Sequence, residues 1–590
     1  MLLAIIKKKY MKKNYIFLLL LVLTVFFSNV AVSQTSLGTC SSFISNLKKG
    51  LEVSAGRNEN KNVLLQIADS KNFVGKINYK ESGALSEFLV GEIKNVSGSS
   101  FYLRVMEKSL EGHIILKKTN EAYKYSSDVQ GNAYVSKVDI NSLICVDYAT
   151  ISQKEAKTAK NGSAAINSDL LKLESLPGGT GCILLDFDGH TMPAGNLWNN
   201  GGAIYALPSG MSDAFILQAF EVVAEDYRPF NLNITTNEAV FNAYPKTKRK
   251  RVVITPTDTA GPGEGGIAFI GSFTWDTDAP AWCFNIATGK AAGETASHEI
   301  GHLFSLKHDG RTSPKEEYFA GLNNTAWGPI MGTSFVRPVS HWSKGEYSGA
   351  NNTENDLAII SDKSWGVGYR IDDYGDNIAS AFNLTLSSEG EIIKRDGVIE
   401  KESDKDFFSF TTSGGDVSIE ANTVNKWGTG NLHILIQLYN SEGIEIGQYW
   451  DSDPYYLDGF MFADLPAGKY FVSISGVGAG DKAWGGYSAY GSIGSYSISG
   501  TVPNHNLNTV SFDKNLNFVI YPNPSNKIIT IKSDHDAILN LINALGITIK
   551  TFKVTANVED TLNVENLSSG VYFLSEMSKG KFITHKFVRK

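Results

Sequence analysis

Residues 298–309 read His298-Glu299-Ile300-Gly301-His302-Leu303-Phe304-Ser305-Leu306-Lys307-His308-Asp309. On a helix, side chains four apart leave from one face, so His298 and His302 stand one turn apart on the same side. Two imidazoles so placed hold one metal ion, with Glu299 beside them as a base. His308 lies past the helix end and can return as a third ligand, leaving a fourth position for water. A bare pair of histidines fits an ordinary core or surface helix; a third at this spacing favours a metal site. Ala291, Ala292, Glu294, Ala296, Ile300 and Leu303 suit a buried helix, and Gly289 and Gly293 suit its approach.

The stretch resembles the metzincin zinc endopeptidases of reprolysin or adamalysin type, with the pattern H-E-x-x-H-x-x-G-x-x-H and a later methionine turn. Asp309 after the third histidine is similar to that branch. Ser305 stands where the family has glycine, which leaves the helix sharply through a left-handed conformation. Serine there is strained but leaves the ligand spacing intact. Gly328-Pro329-Ile330-Met331-Gly332-Thr333, with Met331 23 residues after His308, is the candidate methionine turn. The resemblance implies that Met331 packs beneath the metal as an apolar floor. Thr333 stands where some relatives place an extra tyrosine ligand, so three histidines and water are expected.

The resemblance further implies one catalytic Zn²⁺ on His298, His302 and His308. It implies hydrolysis of peptide bonds in extracellular proteins through a zinc-activated water, with Glu299 as general base. Gly265 to Ser272 reads as a glycine-flanked strand. In the resembling family an edge strand here pairs with the substrate main chain, which makes Gly266, Ile267, Ala268 and Phe269 the candidate pairing residues.

The expected architecture is multidomain. An α/β (α+β) metzincin-like catalytic domain at 173–370 carries a twisted mixed sheet above the zinc helix. Cys182–Phe187, Leu232–Thr235 and Arg251–Ile254 read as strands, and Ser212–Tyr227 as a helix with Ser212 as N-cap and Pro229 past its end. Asp186, Asp188, Asp276 and Asp278 are candidate Ca²⁺ ligands, although loop-capping aspartates are commoner. His341 and Trp342 are candidates to line the side-chain pocket past the scissile bond, with a surface role for His341 left open.

At 590 residues the chain is too long for one core. Hydrophobic content of 42% and charged content of 19% describe folded protein, and a net charge of −7 argues against nucleic acid as a partner. Lys7, Lys8, Lys9, Lys12 and Lys13 precede an apolar run from Tyr15 to Phe27, and Ala31-Val32-Ser33 fits a cleavage site. Residues 1–33 are therefore expected to be a signal peptide, with no transmembrane segment in the mature chain.

Residues 34–172 form a β-rich region with strands such as Phe101–Val105 and Gly112–Leu116, and Ile151–Ser168 reads as an exposed linker. Between a signal peptide and a protease this region is most simply a propeptide, with a binding or adhesion module as the alternative. There are four cysteines, Cys40, Cys145, Cys182 and Cys283. They allow one disulfide in each region. The other reading makes Cys145 a propeptide thiolate that caps the zinc until cleavage.

Residues 372–502 carry Asp404-Lys405-Asp406-Phe407-Phe408-Ser409-Phe410 and a glycine-tyrosine stretch from Gly485 to Tyr496. They resemble the bacterial pre-peptidase C-terminal domain, which implies an all-β sandwich. Residues 515–590 carry Tyr521-Pro522-Asn523-Pro524, seven-strand-like alternation and a basic end at Lys590. They resemble the sorting domain read by the type IX secretion system, which implies a second sandwich, that machinery as partner, and secretion or attachment at the outer-membrane surface. The mature protein is expected to be a monomer acting on protein or peptide substrates. The competing class is a surface binding or adhesion protein with a vestigial peptidase site. The retained Glu299 speaks against decay.

Overall fold

The computed structural model describes residues 34–55, 62–145, 166–322, 325–424, 430–504, 518–578 and 581–590. The expected signal peptide at 1–33 and most of the expected linker lie outside them. The chain is multidomain and mostly β, and it divides into two compact units, Met1–Asn504 and His505–Lys590.

The first unit begins with an eight-stranded antiparallel sheet. Seven strands from Asn62–Ala68 to Asn132–Val138 follow one another as a meander, and Gln34–Thr39 adds to the last of them. Alternation sets its faces: Phe101, Leu103 and Val105 on Ser99–Met106 point to one core with Leu65, Leu89 and Val135. A helix, Cys40–Ala55, covers that face through Cys40, Ile44, Leu47 and Leu51. This helix is not among the expected elements, although its apolar residues recur at the helical spacing of three and four.

Next comes a five-stranded sheet in the order Leu232–Thr235, Gly181–Asp186, Arg249–Ile254, Ala281–Cys283, Gly266–Ile267. The first four run parallel and the last antiparallel. Parallel strands are buried on both faces, which is why Gly181–Asp186 is apolar almost throughout. Helix Asp213–Asp226 starts where the Ser212 hydroxyl accepts from the Phe215 N–H at 3.3 Å. Helix Gly289–Leu303 starts at Thr288, which accepts from Ala291 N–H at 3.1 Å. Its Ala292, Ala296, Ile300 and Leu303 pack with Ile183, Leu185, Val252 and Ile254 of the sheet. Each isoleucine or leucine buried this way contributes roughly 1.5–3 kcal/mol.

Residues 382–501 form a five-stranded and a four-stranded sheet. Phe408, Ile436 and Val472 of one meet Val417, Ile419 and Ile498 of the other. The same cluster of buried residues runs on without a break from Ile183 to Val502. This β region is therefore part of the histidine helix's own core. Polar contacts fasten it as well: the Ser495 N–H and hydroxyl donate to Glu225, at 2.6 and 2.8 Å.

Three expectations need correction. His341 and Trp342 are each 2% exposed, and what they border is a small cleft of about 20 Å³ shared with Tyr487 and Tyr490 of the β region. His341 Nε2 donates to the Asn431 carbonyl at 2.7 Å and Trp342 Nε1 to the Asp226 carbonyl at 2.8 Å, so both are spent at the junction with the β region. All four cysteines are free and buried, so neither expected disulfide forms. The strand expected over Gly265–Ser272 is only Gly266–Ile267, because the residues after it pair elsewhere.

Among its described residues the second unit has seven strands in sheets of three and four. Phe518, Ile529, Ile531, Leu539, Leu541, Leu574 and Phe587 fill its core. No helix among the described residues is long and apolar enough to cross a membrane.

Candidate metal centre

His298 and His302 sit one turn apart on helix Gly289–Leu303, and the chain then turns back sharply. Ser305 takes the left-handed φ of +73° that the glycine of the resembling pattern would take. Its N–H bonds to the His302 carbonyl at 2.9 Å and the Leu306 N–H to the Gly301 carbonyl at 3.1 Å, a Schellman ending. Leu306 is fully buried, which anchors the turn and returns His308 to the other two histidines.

The three rings converge through one nitrogen each. Nε2 of His298 and His302 are 3.0 Å apart, and those of His302 and His308 are 3.1 Å apart. Their other nitrogens are committed: Nδ1 of His298 to the Ile330 carbonyl at 3.0 Å, of His302 to the Leu306 carbonyl at 2.8 Å, and of His308 to Glu317 Oε1 at 3.3 Å. Carbonyl and carboxylate oxygens only accept, so each Nδ1 carries the proton and each Nε2 presents a lone pair. Burial and mutual proximity hold His298 and His302 well below the usual imidazole range, hence neutral. Three lone pairs facing one another repel unless a cation lies between them. An ion with bonds of about 2.0–2.1 Å to nitrogen, as for zinc, fits that gap.

Cys145 completes the group. Its sulfur is 3.3 Å from Nε2 of His308, and all four ligand atoms lie within 4.8 Å of one another. Burial, with Glu299 and Glu264 nearby, pushes the metal-free thiol well above its usual range. Its main chain is held too. The Cys145 N–H donates to the Ala268 carbonyl and the Ile270 N–H to the Leu143 carbonyl, both at 3.0 Å, around an antiparallel bridge between Ile144 and Phe269.

Glu299 is buried, and neither carboxylate oxygen has a hydrogen-bond partner. Burial and Glu264 hold its carboxyl well above the usual carboxylate range. Gly266 gives it room, because a Cβ there would stand 2.4 Å from Glu299 Oε1. Met331 is fully buried beneath the helix, and a Cβ on Gly301 would stand 2.5 Å from its sulfur. Thr333 lies in the same turn, where its N–H donates to the Phe319 carbonyl at 3.0 Å.

The sequence reading did not single out Glu317 or Tyr318, whose ring centroid is 4.4 Å from that of His308. No local pattern marks them, since the loop's path alone brings them in. Of the candidate calcium aspartates, Asp186 and Asp188 lie side by side, but the four do not meet in one cluster. Asp186 pairs with Arg251, Asp278 pairs with Lys246 and Arg249, and no cluster among the described residues contains any of the four. The carboxylates that do gather are Asp372, Asp404 and Asp406.

Residues 244–309 match the reprolysin-like metallo-peptidase family M12B, and residues 519–590 match the secretion system C-terminal sorting domain. No curated protein matches the chain. Among solved structures, the pre-peptidase C-terminal domain of collagenase from Bacillus anthracis is 12% identical. That match covers 22% of this chain and 98% of that one, with a TM-score of 0.15. The adhesin domain of Epf from Streptococcus pyogenes is 13% identical over 38% of this chain and 87% of that one, with a TM-score of 0.11. Scores this low carry no argument about the fold. A sorting domain of the type IX kind implies export to the extracellular space or the outer surface. The chain thus resembles the M12B metallopeptidases across its histidine helix and ends in the pattern of a type IX secretion sorting domain.

Proposed function

We propose that this protein is a secreted zinc-dependent endopeptidase of metzincin type, held latent by its own N-terminal β-rich region. The observation that carries the reading is the convergence of three Nε2 lone pairs and the Cys145 sulfur beside the unpartnered carboxylate of Glu299.

His298, His302 and His308 would hold the zinc. Zinc bound there supplies a water of lowered pKa and polarises the substrate carbonyl. Glu299 takes the proton released by the attacking water and returns it to the leaving nitrogen. Its burial suits this, since a carboxyl held above its usual range accepts a proton more readily than an exposed one. Gly266, Ile267, Ala268 and Phe269 line the edge along which an extended substrate pairs.

In the latent chain, Leu143–Cys145 pairs along that edge, and the Cys145 sulfur would help the three histidines hold the metal. Two further contacts support this docking: Lys117 pairs with Glu264 at 3.4 Å, and Phe269 packs against His113 of the N-terminal sheet at 5.6 Å between ring centroids. Cleavage after Cys145 and departure of the N-terminal region would open the cleft. The two sheets at 382–501 act as a sandwich that buttresses the peptidase core, and the second unit serves export. The active protein is a monomer in this reading.

Calcium belongs at Asp372, Asp404 and Asp406. Asp406 Oδ2 accepts from the Tyr496 hydroxyl and Asp404 Oδ2 from the Glu400 N–H, but Oδ1 of each is buried with no donor. Such oxygens suit a hard divalent cation.

Glu299→Ala tests the peptidase reading. Hydrolysis of denatured casein by the matured chain should fall by at least about a hundredfold with zinc still bound. Undiminished hydrolysis would refute the assignment, and the competing surface-binding class predicts no chelator-sensitive hydrolysis even in the unaltered chain.

A further inference from the structure

Tyr318 is half-buried beside the histidines, its ring centroid 4.4 Å from that of His308 and 6.0 Å from that of His298. The chain is pinned on both sides of it. Glu317 accepts from His308 Nδ1 at 3.3 Å. Phe319 is buried and stacked on Tyr347 at 4.4 Å. The Phe319 N–H donates to the Asp309 carbonyl at 2.7 Å, and its own carbonyl accepts from Thr333 N–H at 3.0 Å. The Tyr318 hydroxyl hydrogen-bonds to the Cys145 sulfur. That sulfur stands beside the histidines, on a segment paired along the edge that a substrate would use. Departure of Leu143–Cys145 would leave the hydroxyl beside the place the sulfur now holds, next to the histidines.

We propose that Tyr318 is a catalytic residue whose hydroxyl donates a hydrogen bond to the scissile carbonyl oxygen as negative charge builds there. This rests on the zinc endopeptidase reading. The phenol transfers no proton. Water's oxygen bonds to the carbonyl carbon, one water proton passes through Glu299 to the leaving nitrogen, the carbon–nitrogen bond breaks, and the phenolic hydrogen stays on its oxygen. A donor aimed at developing charge binds the transition state more tightly than the substrate, so it acts on kcat more than on KM.

The test compares the full chain, matured by limited proteolysis, as wild type and as Tyr318→Phe, which keeps the ring against His308. Zinc per chain, kcat and KM on one peptide, and calorimetric binding of a phosphinic peptide that mimics the tetrahedral state are measured. The expected result is unchanged zinc and KM, kcat lower by about a hundredfold, and phosphinic peptide binding weakened by a similar factor. Wild-type kcat and phosphinic affinity in the variant would overturn the proposal, as would a change in KM alone or loss of zinc. A wild-type chain without zinc-dependent hydrolysis would overturn the endopeptidase reading and this inference with it. An active wild type beside an unchanged variant would remove only this inference.

Discussion

Asn431 donates from Nδ2 to Asp226 Oδ1 at 2.7 Å, across 205 residues of chain. The other oxygen of Asp226 accepts from the hydroxyl of Ser297, the residue before His298, at 2.5 Å. One buried carboxylate thus ties the β region at 382–501 to the histidine helix. Asn431→Ala leaves a buried acceptor without its donor, and a loss of roughly 1–3 kcal/mol is expected. Urea unfolding of the full chain measures it. A midpoint equal to wild type would show that the link carries no stability.

The Cys145 sulfur beside His308 predicts that Cys145→Ser weakens latency. The uncleaved variant should hydrolyse peptides at least about tenfold faster than the uncleaved wild type, since a hydroxyl is a far poorer zinc ligand than a thiolate. In cobalt-loaded protein a sulfur-to-metal absorption band should be present in wild type and absent from the variant. A wild type without that band would rule out sulfur ligation.

Gly266 and Glu299 make a steric prediction. A methyl at Gly266 would stand 2.4 Å from Glu299 Oε1 and 2.9 Å from Thr295 Cγ2, so Gly266→Ala must displace the carboxylate. Displacement on the order of 1 Å costs about a hundredfold in kcat. Zinc content should be unchanged, because the alanine touches no histidine ligand. Full activity in this variant would mean that Glu299 does not work from where it stands.

Ser305 at φ +73° carries a left-handed penalty that glycine escapes. Ser305→Gly should stabilise the protein by about 0.5–1 kcal/mol, after allowing for glycine's larger loss of freedom on folding. Thermal unfolding reads the difference. A destabilised variant would show that the serine side chain contributes more than its backbone costs.

Calcium at the acidic cluster should raise the melting temperature of the wild type, because a ligand that binds only the folded state stabilises it. Asp406→Asn should abolish that rise while leaving zinc content unchanged. An equal rise in both proteins would place calcium elsewhere.

Local spacing determined much of the site by itself. His298 and His302 are joined by one helical turn, and the end of that turn delivers His308, so the three histidines that cluster, with Glu299 beside them, all lie within twelve consecutive residues. Met331 follows closely in sequence, and the seven strands among the described residues of the last unit were legible because alternation is a local property. Tertiary structure alone decided the rest. Cys145 reaches His308 through the pairing of Ile144 with Phe269, and a count of cysteines carries no distance, which is why an even number produced no disulfide. His341 and Trp342 look like cleft residues until the β region covers them. Tyr318 and the Asp226–Asn431 link depend on where separate segments meet. A helical turn follows from its own hydrogen bonds, whereas long-range contacts follow from how distant apolar faces bury one another, which no short stretch of sequence encodes.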